Sequence, residues 1–565
     1  MELNLADLFE CVADHVPERE AVVCGDRRCT YAALDERATR LARGLEQLGV
    51  STGEHVGLYL YNCVEFIEAM LACYKLRAVP TNVNYRYVAD ELAYLLDDAD
   101  LVALIYHREL RPQVAAVRDR PECLRSLIEV DDSSDPEPPA LDMEPSALRY
   151  EELLASASPT RDFGPRSADD RYLLYTGGTT GLPKGVVWRQ EDIFFATLGG
   201  GNPGGRPIEE PEEIGHTVLV NHAQRVAPFL GPGDRAPREY VSLALGPLMH
   251  ASGQWSALGT LLGGGKVVLY PHGQMDLEHV LELVERERIV ALNLVGDTSA
   301  RPLLDVLEAR PDVYDTASLQ LLGSGGSILS GDVKDRLMAA LPSVLAIVDG
   351  IGSSEVPAHA VAVVTRGGVA PPSLTFAPKA ETIVVDDDLR PIAPGSGLVG
   401  RLATRGRVPV GYHKDDAKTA QTFVEIDGAR WAVPGDMATV DADGSVRLLG
   451  RGSMCINTGG EKVYPEEVEA VVKTHPQVAD VVVVSRKHDR WGELVVAVVQ
   501  PVAGDRPPTL DSLRAHCRAR LAGYKAPREL YLVDEVRRSP AGKPDYQWAT
   551  RVIAEGNGEG DERRV

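Results

Sequence analysis

The residues with the strongest chemical signature stand together at Tyr175–Val186, which reads YTGGTTGLPKGV. Gly177 and Gly178 allow the backbone to approach an anion closely, Thr176, Thr179 and Thr180 supply hydroxyl donors, and Lys184 adds a positive charge. Such a cluster directly after an apolar strand, Tyr172–Leu174, predicts a phosphate cradle. It is not the loop of P-loop NTPases, because no Gly-Lys-Ser/Thr follows at the required spacing. A serine hydrolase is disfavoured as well, since the chain holds no GxSxG.

The elements that must position this loop follow from hydrophobic periodicity. Between Glu54 and about Ser354, short β-branched runs alternate with helical patterns. Val56–Leu60 precedes a helix at Val64–Leu76; Leu101–Tyr106 and Val241–Leu245 are strands; Lys266–Tyr270 precedes a helix at Leu277–Arg288. Val290–Leu294, a helix near Arg301–Ala309, Leu319–Leu322, a helix near Asp332–Ala340 and Val344–Val348 continue the series. The alternation implies a large α/β body around parallel sheet. From Gly199 to Arg238 glycine, proline and acidic residues dominate, which reads as a surface loop or lid.

After about Ala360 the helical periods fade. Ala380–Val385, Leu398–Thr404 and Val446–Leu449 read as short strands between Pro-Gly and Asp-Gly turns, a small β subdomain over about 360–450. Beyond Arg451, Pro465 is placed to open a helix rich in Glu466, Glu467 and Glu469, and strands follow at Val481–Val484 and Leu494–Val499. The expected organisation is an N-terminal domain over 1–450, a hinge at 451–453, a small α+β C-terminal domain over 454–553 and a disordered tail over 554–565.

Composition narrows the function classes. The chain has 565 residues, 44% hydrophobic and 25% charged, within the range of globular proteins and long enough for well-buried cores. Lysine and arginine number 59 against 83 acidic residues, a net charge of -24, which disfavours nucleic acid and anionic lipid as partners. The eight cysteines form no CxxC pair, so neither a zinc knuckle nor a disulfide framework is expected. Without an apolar run of membrane-spanning length or a signal-peptide start, a cytoplasmic location is the expectation.

The loop at Tyr175–Val186 closely resembles the signature of the adenylate-forming enzymes, which include acyl-CoA synthetases, peptide-synthetase adenylation domains and luciferases. Further segments resemble the family in its order: Ser324-Gly325-Gly326, Ile351–Glu355 (IGSSE), Pro434-Gly435-Asp436, Gly450-Arg451, Gly460–Glu469 (GEKVYPEEVE), Gly523–Arg528 (GYKAPR) and Ser539–Tyr546 (SPAGKPDY). The likeness covers essentially the whole chain. Within the family, LLYTGGTTGLPKGVVWRQEDI, GRGSMCINTGGEKVYPEEVE and RRSPAGKPDYQW are most similar to actinobacterial ligases of steroid side-chain or long-chain acids.

The resemblance implies two half-reactions: a carboxylate attacks the ATP α-phosphate to give an acyl-adenylate and pyrophosphate, and the CoA thiol then displaces AMP. It implies Lys543 as the lysine that reaches the α-phosphate and Glu355 as the Mg2+ ligand, a hard oxygen donor for a hard ion. Asp436 and Arg451 are implied at the ribose, Asp349 and Gly350 with Ser327 at the adenine, and Ser354 where the family has a phosphate-contacting threonine. His250, in PLMHASGQW, is implied beside the substrate carboxylate as a positioner. Trp255 and Gly325 are implied at the acyl pocket, and Gly459 and Gly460 where pantetheine approaches the backbone. The small domain is implied to rotate about a hinge near Arg451, and homodimers are common in the family. Three positions depart from the pattern: Ser453 replaces the usual hinge Asp or Lys, Ile351 the usual adenine-stacking aromatic, and Ser327-Ile328 the usual Ala-Pro. Transfer to a carrier protein, a medium-chain or aryl acid as substrate, and a nucleotide-binding pseudoenzyme remain alternatives to a steroid or long-chain acid:CoA ligase.

Overall fold

A computed structural model describes residues 3–556 apart from 88, 132–146, 177–182, 201–205, 220, 272–274, 373, 459–460, 489–490, 505, 522 and 539–541. Three sheets organise the chain. The first has eight strands in the order Gly411–Tyr412, Lys184–Arg189, Arg171–Thr176, Val79–Asn82, His55–Tyr59, Leu101–His107, Ser126–Val130 and Ala147–Arg149. From Arg171–Thr176 to the Ala147 edge every neighbouring pair is parallel, as the β-branched runs joined by helices require. The strands Arg171–Thr176 and Lys184–Arg189 pair instead antiparallel, with Thr176 opposite Lys184, and residues 177–182 between them lie outside the described residues.

The second sheet has fifteen strands. Its parallel part runs through Glu20–Cys24, Lys266–Leu269, Val241–Ala244, Ala291–Leu294, Leu321–Gly325 and Ala346–Ile351. The antiparallel strands between Ala360 and Arg451 continue the same hydrogen-bonded sheet from the Ile351↔Ala360 pair onward. Within them, Asp436–Val440 and Val446–Arg451 set Asp436 directly opposite Arg451. A five-stranded sheet follows, in which Val478–His488 and Gly492–Pro501 form the long central hairpin, covered by the helices Pro465–Val472 and Tyr546–Glu555.

One apolar cluster joins the first two sheets. It unites Val22, Val267 and Leu269 with Val56, Ile105, Tyr172 and Trp188 through the helices Leu5–His15, Tyr31–Gln47 and Val64–Leu76. The last of these is buried on nearly every side, including Glu65, Glu68 and Lys75, which take ion-pair partners in Arg27, Arg37 and Asp35. Arg77 closes it in the left-handed conformation at φ 61°.

Two expectations differ from the structure. The stretch 199–238 is not a bare loop: it carries short helices at Glu213–Thr217 and Asn221–Val226, and Ile208, Ile214 and Val218 enter the main core. Those apolar residues lie among glycines and prolines that hide their spacing. The helix expected near Arg301 begins at Gly296, with Pro302 inside it rather than at its start. None of the eight cysteines is in a disulfide, and among the described residues no helix is long and apolar enough to cross a membrane.

Candidate active site

The strand ends and turns converge on a cavity of about 610 Å3 between the second sheet and the C-terminal part of the chain. Thr176, Lys184, Ser327, Asp349, Gly350, Ser354, Glu355, Asp436, Arg451 and Lys543 all line it. Residues separated by nearly four hundred positions thus share one space.

Asp436 and Arg451 face each other across their strand pair, and Arg451 Nε lies 2.8 Å from Asp436 Oδ1. Burial pushes the Asp436 carboxyl above the usual range while Arg451 draws it back. Glu355 is 9% exposed and accepts a hydrogen bond at Oε1 from the Tyr412 hydroxyl, 2.6 Å away. The Ser354 carbonyl, one residue before it, accepts from Trp188 Nε1 at 3.0 Å, which ties this turn to the first sheet. Lys543 sits among Arg451, Glu355 and Asp436; burial first, then Arg451, lowers its pKa, and the two carboxylates oppose that shift. The Lys543 turn is braced from its own sheet, because Arg538 donates to the Gly542 carbonyl at 3.0 Å and pairs bidentately with Asp480.

Lys184 Nζ lies 2.7 Å from Asp415 Oδ2, a residue that also caps the helix Asp416–Thr422 by accepting from Lys418 N–H. Gly177, Gly178, Thr179 and Thr180 of the same turn lie outside the described residues, as do Gly459 and Gly460. Asp349 is buried with Lys334 Nζ 2.8 Å from Oδ2. Its backbone pairs with Ser324 on one side and Ala362 on the other, which holds Gly350 beside Gly325 at the cavity edge.

His250, Trp255 and Gly325 are not among the described residues that line the cavity. His250 precedes the helix Ala251–Leu262. Burial first, then the charges of Lys543 and Arg86, lower its pKa to about 3, so its imidazole is neutral at pH 7. A neutral imidazole suits orientation of a substrate carboxylate, which arrives deprotonated and needs no base. Trp255, one turn into that helix, packs against the core between the two large sheets.

Four further groups stand at the site to which the sequence assigns no role: Tyr412 on Glu355, Lys334 on Asp349, Glu466, which lies within GEKVYPEEVE, and His359. Glu466 Oε1 accepts from Arg451 N–H at 3.2 Å. Its carboxyl is raised to about 7, by burial first and then against the neighbouring Asp436 charge. A side chain at Gly450, where φ is 121°, would collide with it. Its place four residues after Glu355 is the one clue that His359 offers along the chain.

A divalent cation fits this donor set. Among the described residues no cluster of three or more acidic, histidine or cysteine ligands exists, so Glu355, one of the carboxylates lining the cavity, could hold an ion only together with oxygens from outside the protein. That is the arrangement for Mg2+, which keeps waters and takes most of its oxygens from a polyphosphate.

Comparison with known proteins agrees with this geometry. The AMP-binding enzyme family matches residues 9–412, and its C-terminal domain family, AMP-binding enzyme C-terminal domain, matches residues 467–543. The chain belongs to the AMP-binding enzymes, whose substrate is ATP. It is 43% identical to a 3-oxocholest-4-en-26-oate--CoA ligase of Rhodococcus rhodochrous, over 97% of this chain and 96% of that one. It is equally 43% identical to a medium/long-chain-fatty-acid--CoA/3-oxocholest-4-en-26-oate--CoA ligase of Mycolicibacterium smegmatis, over 98% and 97%. In fold it is similar to an anthranilate CoA ligase solved with anthranoyl-AMP, with a TM-score of 0.79 at 23% identity and 98% of each chain covered.

Proposed function

We propose that the protein is an AMP-forming acid:CoA ligase that activates a steroid side-chain or long-chain fatty acid. Acyl-CoA ligase activity follows from membership of the family together with relatives named as CoA ligases along the full length. The observation that carries the mechanism is the meeting of Lys543 with Asp436, Arg451 and Glu355 in one cavity.

In this reading Asp436 accepts from the ribose hydroxyls, and Arg451 holds Asp436 in place and donates to the same sugar. Asp349, Gly350 and Ser327 border the adenine, and Lys334 fixes Asp349 from behind. Thr176, Lys184 and Ser354 contact phosphate together with Gly177, Gly178, Thr179 and Thr180. The substrate carboxylate oxygen attacks the α-phosphorus, pyrophosphate leaves, and Lys543 stabilises the charge that grows on the α-phosphate oxygens. A preorganised cation in a site this buried is worth more than one in water, about 10²–10³ in rate for a single donor. Mg2+, held by Glu355 and the phosphates, supplies additional charge neutralisation when bound. His250 orients the carboxylate.

For the second half-reaction the unit 454–553 turns about 451–453, Lys543 leaves the cavity, and CoA enters past Gly459 and Gly460. The thiolate attacks the acyl carbon and AMP departs. The bond from Glu466 to the Arg451 amide supports this division, since it clamps the start of the turning unit onto the hinge. Trp255 and Gly325 belong to the acyl side of the site. A cytoplasmic location and a homodimer belong to the same reading; nucleic acid does not.

The deciding assay supplies purified protein with ATP, Mg2+, CoA and a panel of steroid side-chain, medium-chain, long-chain and aryl acids, and detects acyl-CoA and AMP by mass spectrometry. A steroid or long-chain thioester with stoichiometric AMP is expected. A thioester formed only from medium-chain or aryl acids overturns the substrate assignment. AMP without a thioester overturns CoA as acceptor and favours a carrier protein.

A further inference from the structure

Behind Asp436 lies a histidine that none of these roles uses. His359 is fully buried, four residues after Glu355, where its N–H donates to the Ile351 carbonyl at 2.8 Å and its carbonyl accepts from Lys379 N–H at 3.0 Å. Its Nδ1 lies 2.7 Å from Thr404 Oγ1, and Thr404 Oγ1 lies 2.8 Å from Thr382 Oγ1. The two threonines are register partners on adjacent antiparallel strands, so the sheet itself fixes their spacing. On the other side of the ring, Nε2 lies 3.9 Å from Asp436 Oδ2. Both of those atoms are buried, and neither has a hydrogen-bond partner among the described residues.

We propose that His359 is a positioning residue for the ribose of ATP: the Thr382–Thr404 hydroxyl chain holds its neutral ring as the Nε2–H tautomer, and Nε2–H donates to Asp436 Oδ2. The inference rests on Asp436 being the ribose acceptor. Each threonine hydroxyl has one proton to give. If Thr382 donates to Thr404 and Thr404 to His359 Nδ1, every proton in the chain is used and Nε2–H faces a carboxylate. The opposite order sets the Nε2 lone pair against those of Asp436 in a buried site, which is repulsive at low dielectric.

Charge argues the same way. Burial first, then Arg451, lowers the His359 pKa to about 3, so the ring is neutral. A neutral donor fixes the carboxylate without cancelling its charge. Arg451 already occupies Oδ1. With Arg451 on Oδ1 and His359 on Oδ2, the carboxylate is fixed at both oxygens, and its remaining lone pairs are those left for two vicinal hydroxyls. The 3.9 Å gap exceeds a hydrogen bond and closes by rotation of the carboxylate as the ribose arrives, or through one bridging water.

The test is ATP–pyrophosphate exchange with ATP, 2′-deoxy-ATP and 3′-deoxy-ATP in the full-length wild type, Asp436→Asn, His359→Phe, His359→Gln and Thr404→Val. His359→Phe is expected to reduce the preference for ATP over the deoxynucleotides about 10-fold, through the KM for ATP rather than kcat, as loss of one hydrogen bond to a charged group requires. His359→Gln, whose amide can donate, restores much of the preference, and Thr404→Val moves it in the same direction as His359→Phe. A histidine that only fills space lowers the rates with all three nucleotides equally, which overturns the inference. If Asp436→Asn keeps the preference, the ribose reading itself fails. If Asp436→Asn loses it and His359→Phe does not, only the inference fails. The tautomer is read independently in wild type by imidazole 15N chemical shifts, and an Nδ1–H ring overturns the proposal even where a variant does not fold.

Discussion

Gly542→Ala is expected to slow adenylation and spare thioester formation. Gly542 has φ +68°, and a Cβ there would lie inside van der Waals contact of Val295 Cγ1 and 3.6 Å from Ser327 Cβ. The left-handed conformation costs alanine about 1–2 kcal/mol, but that cost belongs to the turn and is the same in every orientation of the small domain. If the unit 454–553 turns as proposed, the collision with Val295 exists only while the turn is docked as in this structure. Val295 is β-branched and buried, so it yields little. Overpacking of this kind costs about 1–3 kcal/mol, roughly a 5- to 150-fold loss in the docked population. The assay separates the half-reactions: pyrophosphate release in a single turnover reports the first, and transfer from chemically prepared acyl-AMP to CoA reports the second. The first should fall by that factor while the second holds or rises. Adding Val295→Ala removes the obstructing methyl and should recover most of the loss. Equal losses in both steps, or no recovery in the double variant, would refute the docking argument.

Three other outcomes are expected. Tyr412→Phe deletes the hydrogen bond to Glu355, worth about 1.5–3 kcal/mol for a charged acceptor, and should raise the Mg2+ concentration for half-maximal exchange about 10-fold or more. Lys334→Met leaves Asp349 buried and unpaired, so guanidinium unfolding should show a loss of about 3–5 kcal/mol, partly recovered by adding Asp349→Asn. Glu469 is buried and its carboxyl is raised from 4.5 to about 8, by burial first and then by Glu466. The folded state therefore holds a proton that the unfolded chain has released. Stability should fall as pH rises from about 4.5 to about 8, by on the order of a few kcal/mol, and Glu469→Gln should flatten that slope in denaturation curves taken across the range.

The helix Val64–Leu76 has the bounds that its apolar run predicts, and the strand expected at Tyr172–Leu174 is present but longer, Arg171–Thr176, because local periodicity records which faces are buried and not where pairing stops. Local patterning is less exact at helix starts: the helix expected near Arg301–Ala309 ends at Ala309 but begins at Gly296 and carries Pro302 inside it. In the site, Thr176, Lys184, Asp349, Glu355, Asp436, Arg451 and Lys543 were legible because each lies in a short motif, and the fold brings them to one cavity. Tyr412 stands 57 residues from the carboxylate it contacts, and His359 reaches Thr404 across 45. Such pairings depend on strand register, and one sequence does not encode register in any run of neighbours. Trp255, five residues after the motif histidine, packs against the core and does not line this cavity, a placement that its neighbours along the chain do not reveal.

The contact between Lys184 and Asp415 has a bearing on which anions the enzyme admits. Lys184 is not a bare charge awaiting phosphate, since Asp415 already neutralises it at 2.7 Å. Any incoming anion must therefore displace a tethered counter-ion whose effective concentration is high and constant. Inorganic phosphate, sulfate and carboxylate metabolites, each with few charges and few simultaneous contacts, compete poorly in such an exchange. A triphosphate held as proposed above, by Thr176, Ser354 and Lys184 at once, would win it. On the proposed reading, Asp415 would act as an ion-exchange threshold, holding Lys184 until a polyvalent ligand arrives.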